Sequence, residues 1–167
     1  MKIISVIGYS GTGKTFLIVK AIILFKQQLN YNCSVIKNIH EHRIDTQGKD
    51  SYKFTDAGAQ YSISRNKFNE NVIFIKKDIE IHNIIEWIED GPLKTDILFL
   101  EGFRNLPFPA ILCINDSPEI KPQLTNQVKM ISGLITTKPN ELQEEIGIPI
   151  IDIHKEFDKF LNIFKVM

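Results

Sequence analysis

"GYSGTGKT", residues Gly8 to Thr15, follows directly on the apolar run Ile3-Ile4-Ser5-Val6-Ile7. Glycine loses conformational freedom in either a strand or a helix, so crowding it here marks backbone that must bend tightly or approach a ligand closely. Gly8, Gly13, Lys14 and Thr15 fit the spacing GxxxxGK[ST], with a strand pattern before it and a helix pattern after it. In that setting the main-chain amides of Gly11, Thr12 and Gly13 are expected to surround a phosphate, and the helix dipole adds favourable potential. Lys14 is expected to lie across the β- and γ-phosphates, with the Thr15 hydroxyl completing the coordination of a bridging Mg²⁺.

The rest of the chain agrees with an α/β setting for this loop. Apolar β-rich runs at Ile3–Ile7, Cys33–Ile36, Val72–Ile75, Asp96–Leu100, Ala110–Ile114, Gly133–Thr136 and Pro149–Ile153 read as strands. Lys14–Leu29 has helical length, and Asp56–Ser64 reads as a short helix passing into a strand. Ile81, Ile84, Ile85 and Ile88 recur at i, i+3, i+4, i+7, which makes Asp78–Glu89 an amphipathic helix stopped by Gly91-Pro92. Phe157, Phe160, Leu161 and Phe164 form the apolar stripe of a last helix. Such alternation predicts a mostly parallel sheet between helices, the three-layer α/β/α sandwich of the P-loop NTPases. Loops are expected at Asn38–Lys49, Arg104–Pro109 and Asn115–Val128.

At 167 residues the chain suits one buried core, read as a single P-loop nucleotide-binding domain over 1–167. Twenty basic residues balance twenty acidic ones, so the overall positive field of a nucleic-acid binder is missing. Cys33 and Cys113 stand without CxxC spacing or nearby metal ligands and read as buried thiols of a reducing compartment. The apolar starts at Ile3 and Phe16 are too short for a signal segment or a membrane span. A cytoplasmic protein without membrane contact is expected.

The phosphate loop needs an acidic partner for its metal. Asp96 and Glu101 stand at opposite ends of one apolar strand. Ligands of open α/β sheets bind beyond the carboxyl ends of strands, which favours Glu101, and Gly102 after it lets the chain turn close to the phosphates.

Four segments in order carry a resemblance: Ile7-Gly-Tyr-Ser-Gly-Thr-Gly-Lys-Thr15; Val35-Ile36-Lys37 with His40 beyond it; Gly48-Lys49-Asp50-Ser51-Tyr52 followed by Ala57-Gly58-Ala59; and Leu100-Glu101-Gly102-Phe103-Arg104. Over the first two-thirds of its length the chain resembles the molybdopterin-guanine dinucleotide biosynthesis protein B (MobB) family. The resemblance implies a GTP-binding homodimer with weak GTPase activity. It would act as an adaptor for a separate guanylyltransferase that attaches GMP to molybdopterin, and molybdopterin-handling proteins are further implied partners.

Carried onto this chain, the nucleotide would touch Gly8, Ser10, Gly11, Thr12, Gly13, Lys14, Thr15 and Phe16, and the catalytic set would be Lys14, Glu101 and Lys37. Lys37 falls where related enzymes place a lysine facing the γ-phosphate or an anionic substrate. Thr15 and Glu101 would serve the Mg²⁺, joined by Asp45 or Asp50 from the loop after the second strand, while Lys49 and Arg104 could contact a pterin phosphate. His40, His42 and Asp45 lack a third histidine or cysteine at ligand spacing, so zinc is not expected. Two departures from the family stand out. Phe16 replaces a second threonine, and Asn38 and Glu41 replace histidines of the turn after Lys37. Thr137-Lys138-Pro139-Asn140 stands where many GTPases read guanine, but Asn140 replaces the acid that would do so, and an ordinary helix start led by Pro139 is the better account. A small-molecule phosphotransferase using ATP or GTP, and a purely regulatory switch, are the other readings of the same loop.

Overall fold

β-branched residues without polar alternation suit a strand covered on both faces. The run ahead of the glycine loop forms such a strand, β1 (Lys2–Ile7), at the centre of a five-stranded sheet. The computed structural model describes residues 1–137 and 147–166. Across the sheet the order is β2 (Cys33–Lys37), β5 (Ile97–Glu101), β1, β6 (Ala110–Cys113) and β7 (Val128–Ser132), and every pairing is parallel. All carboxyl ends therefore lie along one edge.

Alternate residues of β1 feed opposite faces. Ile4 and Val6 join Phe99 and Ile111 beneath two helices, α1 (Lys14–Leu24) and α5 (Phe157–Phe164). Leu17, Ile18, Ala21 and Leu24 supply the buried stripe of α1; Phe157, Phe160, Leu161 and Phe164 supply that of α5. A π-helical turn, Phe25–Leu29, extends α1 and buries Phe25 completely. Phe25 meets Phe157 and Phe160 edge-on, with centroids 5.2 and 5.8 Å apart, which joins the first helix to the last. On the opposite face Ile7, Leu112, Ile114 and Ile131 pack with Ile120 of the short helix α4 (Ile120–Gln123) and with Ile135. The result is the expected α/β sandwich around a parallel sheet.

The chain divides into two compact units, Met1–Asn38 with Gly91–Met167, and Ile39–Asp90. The first contains the sheet just described. The second holds α2 (Asp50–Asp56), an antiparallel ribbon of β3 (Ser62–Arg65) and β4 (Asn71–Phe74), and α3 (Ile81–Glu89). Asn66 shapes the ribbon's turn, its Oδ1 accepting from the amides of Phe68 and Glu70. Ile63, Phe68, Val72, Ile73 and Trp87 are exposed, so this unit buries little of its apolar surface.

Two expected strands differ. Gly133–Thr136 is not a strand: β7 ends at Ser132, and Leu134–Thr137 is a 3₁₀ turn. Gly133 has φ +92°, and a Cβ there would stand 2.4 Å from the Thr12 carbonyl oxygen, so the chain turns away where it meets the glycine loop. The strand lies earlier, and Val128 to Ser132 had only its first residue inside an expected loop. Pro149–Ile153 contributes a single bridge, Ile131 to Ile150, instead of a strand. Proline cannot donate to a ladder, and the carbonyl of Asp152 accepts the Lys155 and Glu156 amides in a turn that ends the extension.

Candidate functional site

The chain leaves β1 through Gly8, whose φ of +145° and closeness to β6 exclude a side chain: a Cβ would stand 2.2 Å from the Cys113 carbonyl oxygen. Gly13, with φ +88°, then sets the first turn of α1. Between them Thr12 is fully buried and donates its hydroxyl to the Tyr9 carbonyl at 2.9 Å. Lys14 folds back across the loop, donating from Nζ to the Gly8 carbonyl at 3.0 Å and the Tyr9 carbonyl at 2.5 Å. Burial pushes the Lys14 ammonium below the usual lysine range, opposed by the charge of Glu101 and reinforced by those of Arg104 and Lys37.

Register supplies the other side of the site. Val6 pairs with Glu101 and Glu101 with Lys37, so one row crosses three strands at their carboxyl ends. The Glu101 side chain is only 7% exposed. A carboxylate this buried needs partners. It accepts from Thr15 Oγ1 at 3.0 and 3.3 Å, and Lys37 Nζ stands 3.3 Å from Oε1. Ser10, Gly11, Gly13, Lys14, Thr15, Phe16, Lys37 and Glu101 line one cleft of about 350 Å³. Lys14 and Thr15 at the head of α1, a lysine from β2 and an acid from β5 thus line one cleft. Asp96 stands at the other end, where Oδ2 accepts from the Asn32 amide and Oδ1 pairs with Lys94.

Gln123 and Gly133, beside the loop, carry no local signature in sequence, whereas Arg104 belongs to a segment that carried the resemblance. Arg104 lies 5.3 Å over the Tyr9 ring and donates at 2.8 Å to Gln123, a 3% exposed side chain. Gly133 lies so close to Thr12 that a side chain there would strike the Thr12 carbonyl oxygen. A second cleft of about 240 Å³ adjoins the first at Gly13 and Phe16, with Leu17, Leu134 and Ile153 as apolar walls and Lys20, Asp152 and His154 among its lining residues.

Asp45 and Asp50 belong to the second unit. Asp45 accepts from the Ser51 hydroxyl at 3.0 Å with Lys76 at 3.9 Å, and exposed Asp50 pairs with Lys53 at 3.2 Å. Among the described residues no three His, Cys, Asp or Glu side chains gather as a metal site. His42 contacts the carbonyl of its neighbour Arg43. Of the guanine-loop segment, Thr137 donates to the Leu134 carbonyl, and Lys138, Pro139 and Asn140 lie outside the described residues. No helix among the described residues is long and apolar enough to cross a membrane.

Comparison with known proteins gives a consistent set. The family model described as molybdopterin guanine dinucleotide synthesis protein B matches residues 3–137. The chain is 27% identical over 155 residues to the molybdopterin-guanine dinucleotide biosynthesis adapter protein of Haemophilus influenzae, covering 92% of this chain and 82% of that one. It is 24% identical over 152 residues to a probable adapter protein of the same description from Bacillus subtilis, covering 89% and 83%. The crystal structure of Bacillus subtilis MobB superposes with a TM-score of 0.74 over 98% of each chain at 24% identity, a likeness of fold.

Proposed function

The chain belongs to the MobB family, and from that premise we propose that it is an adapter in molybdopterin guanine dinucleotide biosynthesis that holds GTP and Mg²⁺ at its glycine loop and assists a guanylyltransferase. The observation that carries the nucleotide part is the meeting of Thr15 and Glu101. Mg²⁺ takes oxygen ligands at about 2.0–2.1 Å in an octahedron, so adjacent ligand oxygens stand about 2.9 Å apart. Thr15 Oγ1 and Glu101 Oε1 are 3.0 Å apart, which fits neighbouring positions around one ion.

The loop fits a triphosphate for a separate reason. At Gly8 a side chain would strike β6, so main chain alone can form the turn there. Lys14, drawn below the usual lysine range by burial, exchanges the Gly8 and Tyr9 carbonyls for phosphate oxygens when nucleotide binds. Lys37, paired with Glu101, faces the γ-phosphate or an anionic acceptor. Thr15 and Glu101 would hold Mg²⁺, which would supply positive charge against the phosphates. The purine enters the cleft walled by Phe16, Leu134 and Ile153, which adjoins the loop. Hydrolysis is slow and the transfer of GMP belongs to the partner enzyme. A homodimer in the cytoplasm is part of the same proposal.

Isothermal titration of GTP and ATP against the native chain and Lys14→Ala tests it. GTP is expected to bind more tightly than ATP, and Lys14→Ala to lose at least a hundredfold in affinity, about 2.7 kcal/mol. Unchanged affinity in Lys14→Ala removes the loop reading. A preference for ATP with acceptor-dependent turnover would instead favour the small-molecule phosphotransferase.

A further inference from the structure

The second unit has a cavity of its own, about 630 Å³, with Ile39, Ile44 and Phe74 among its apolar lining residues and Asp45, Tyr52 and Lys76 among its polar ones. Asp45 is the unusual member. Its side chain is only 10% exposed, Oδ1 accepts from Ser51, and Oδ2 is buried without a hydrogen bond. A buried carboxylate oxygen left this way is unfavourable unless something donates to it. Lys76 covers the position: Nζ stands 3.9 Å from Oδ2, 3.2 Å from the centroid of the Tyr52 ring, and donates to the Tyr52 carbonyl at 3.2 Å. One flexible cation therefore rests on both an aromatic face and an acceptor oxygen. Arg43 lines the same cavity and is exposed.

We propose that this cavity binds a 2-amino-4-oxopyrimidine ring, the edge shared by pterins and guanine, with an anionic substituent. The ring's amino group and adjacent N–H donate to the Asp45 carboxylate, which only accepts when ionised. Tyr52 gives the ring a face to stack on. Lys76 leaves that face and pairs with the ligand's anion together with Arg43, so its charge stays matched in both states. Asp45 thereby takes a different part from the metal contact expected of it. The assignment of a pterin to this cavity rests on the proposed role in molybdopterin chemistry; the cavity and its donor demand do not.

The test uses the full chain, with pterin-6-carboxylate and GMP as separate probes followed by fluorescence quenching and calorimetry. Asp45→Asn and Tyr52→Leu are expected to weaken pterin-6-carboxylate binding at least tenfold, and Arg43→Ala about threefold. GTP affinity is expected to be unchanged in all three. Lys14→Ala is expected to leave pterin-6-carboxylate binding intact, so failure of the glycine-loop reading shows separately. If GMP binding in place of pterin binding falls with Asp45, the ring is guanine. If neither probe responds to Asp45→Asn and Tyr52→Leu, or both are lost with Lys14→Ala, the proposal is overturned. Should Asp45→Asn fail to fold, surface Arg43→Ala decides, and unchanged affinity for both probes overturns it.

Discussion

The two units solve opposite problems with one chain. Around the glycine loop, polar chemistry is mounted on a sheet with β5 buried along its whole length, and the site is held by register, by backbone contact and by the aromatic joint between α1 and α5. In Ile39–Asp90 a two-stranded ribbon and two short helices leave Ile63, Phe68 and Trp87 exposed. A two-stranded ribbon has little stability of its own. The difference lies in where side chains are tolerated: at Gly8 an added Cβ would stand 2.2 Å from the Cys113 carbonyl oxygen, whereas the cavity proposed as a ring site would need Lys76 to shift and so suits a looser frame.

The contrast between the units is largest at the buried aromatic joint. Phe160→Ala removes a fully buried ring from the joint between the helices and is expected to destabilise the chain by about 3–5 kcal/mol, whereas Phe68→Ala, at a ring 71% exposed, is expected to change it by less than about 0.5 kcal/mol. Urea denaturation of both variants checks the contrast; equal losses would dissolve it. Amide hydrogen exchange reads the same contrast along the backbone. Protection in β1 and β5 is expected to exceed that in β3 and β4 on the order of a hundredfold, about 2.7 kcal/mol, measured peptide by peptide.

Within the stiff unit, Glu101→Gln keeps size and removes charge. Nucleotide binding is expected to survive, with hydrolysis slowed about tenfold in a phosphate-release assay, because the change acts on the group beside Thr15 and not on the loop's backbone. The smallest effect is a pH dependence. Burial pushes the Cys113 thiol up to about 12 from an ordinary 9.0, and Cys33, half-buried and near Asp96, up to about 11. Between pH 9 and 12 the unfolded chain then binds fewer protons than the folded one, so these thiols lower stability as pH rises there and leave it unaffected below. The fall in urea midpoint from pH 7.5 to 10 is expected to be smaller in Cys113→Ala.

Much of this was legible in sequence where the signal is local. Gly8 to Thr15 fixes a strand, a turn and a helix start by its own sterics, and Glu101 follows from its place at the end of an apolar strand. Gly133–Thr136 misled because β-rich composition says nothing of what lies opposite; contact with Thr12 sends that segment into a 3₁₀ turn. Gln123 under Arg104, and Lys76 between Asp45 and Tyr52, come from positions distant in sequence or from an unremarkable lysine, and no spacing announces them.

The encounter of Gly8 with the Cys113 carbonyl has a lasting consequence. A cradle made of main chain offers mutation almost nothing to adjust gradually, since most exchanges at its hinges jam it outright. Exchanges are better borne by side chains at its mouth, such as exposed Phe16, where no backbone stands in the way.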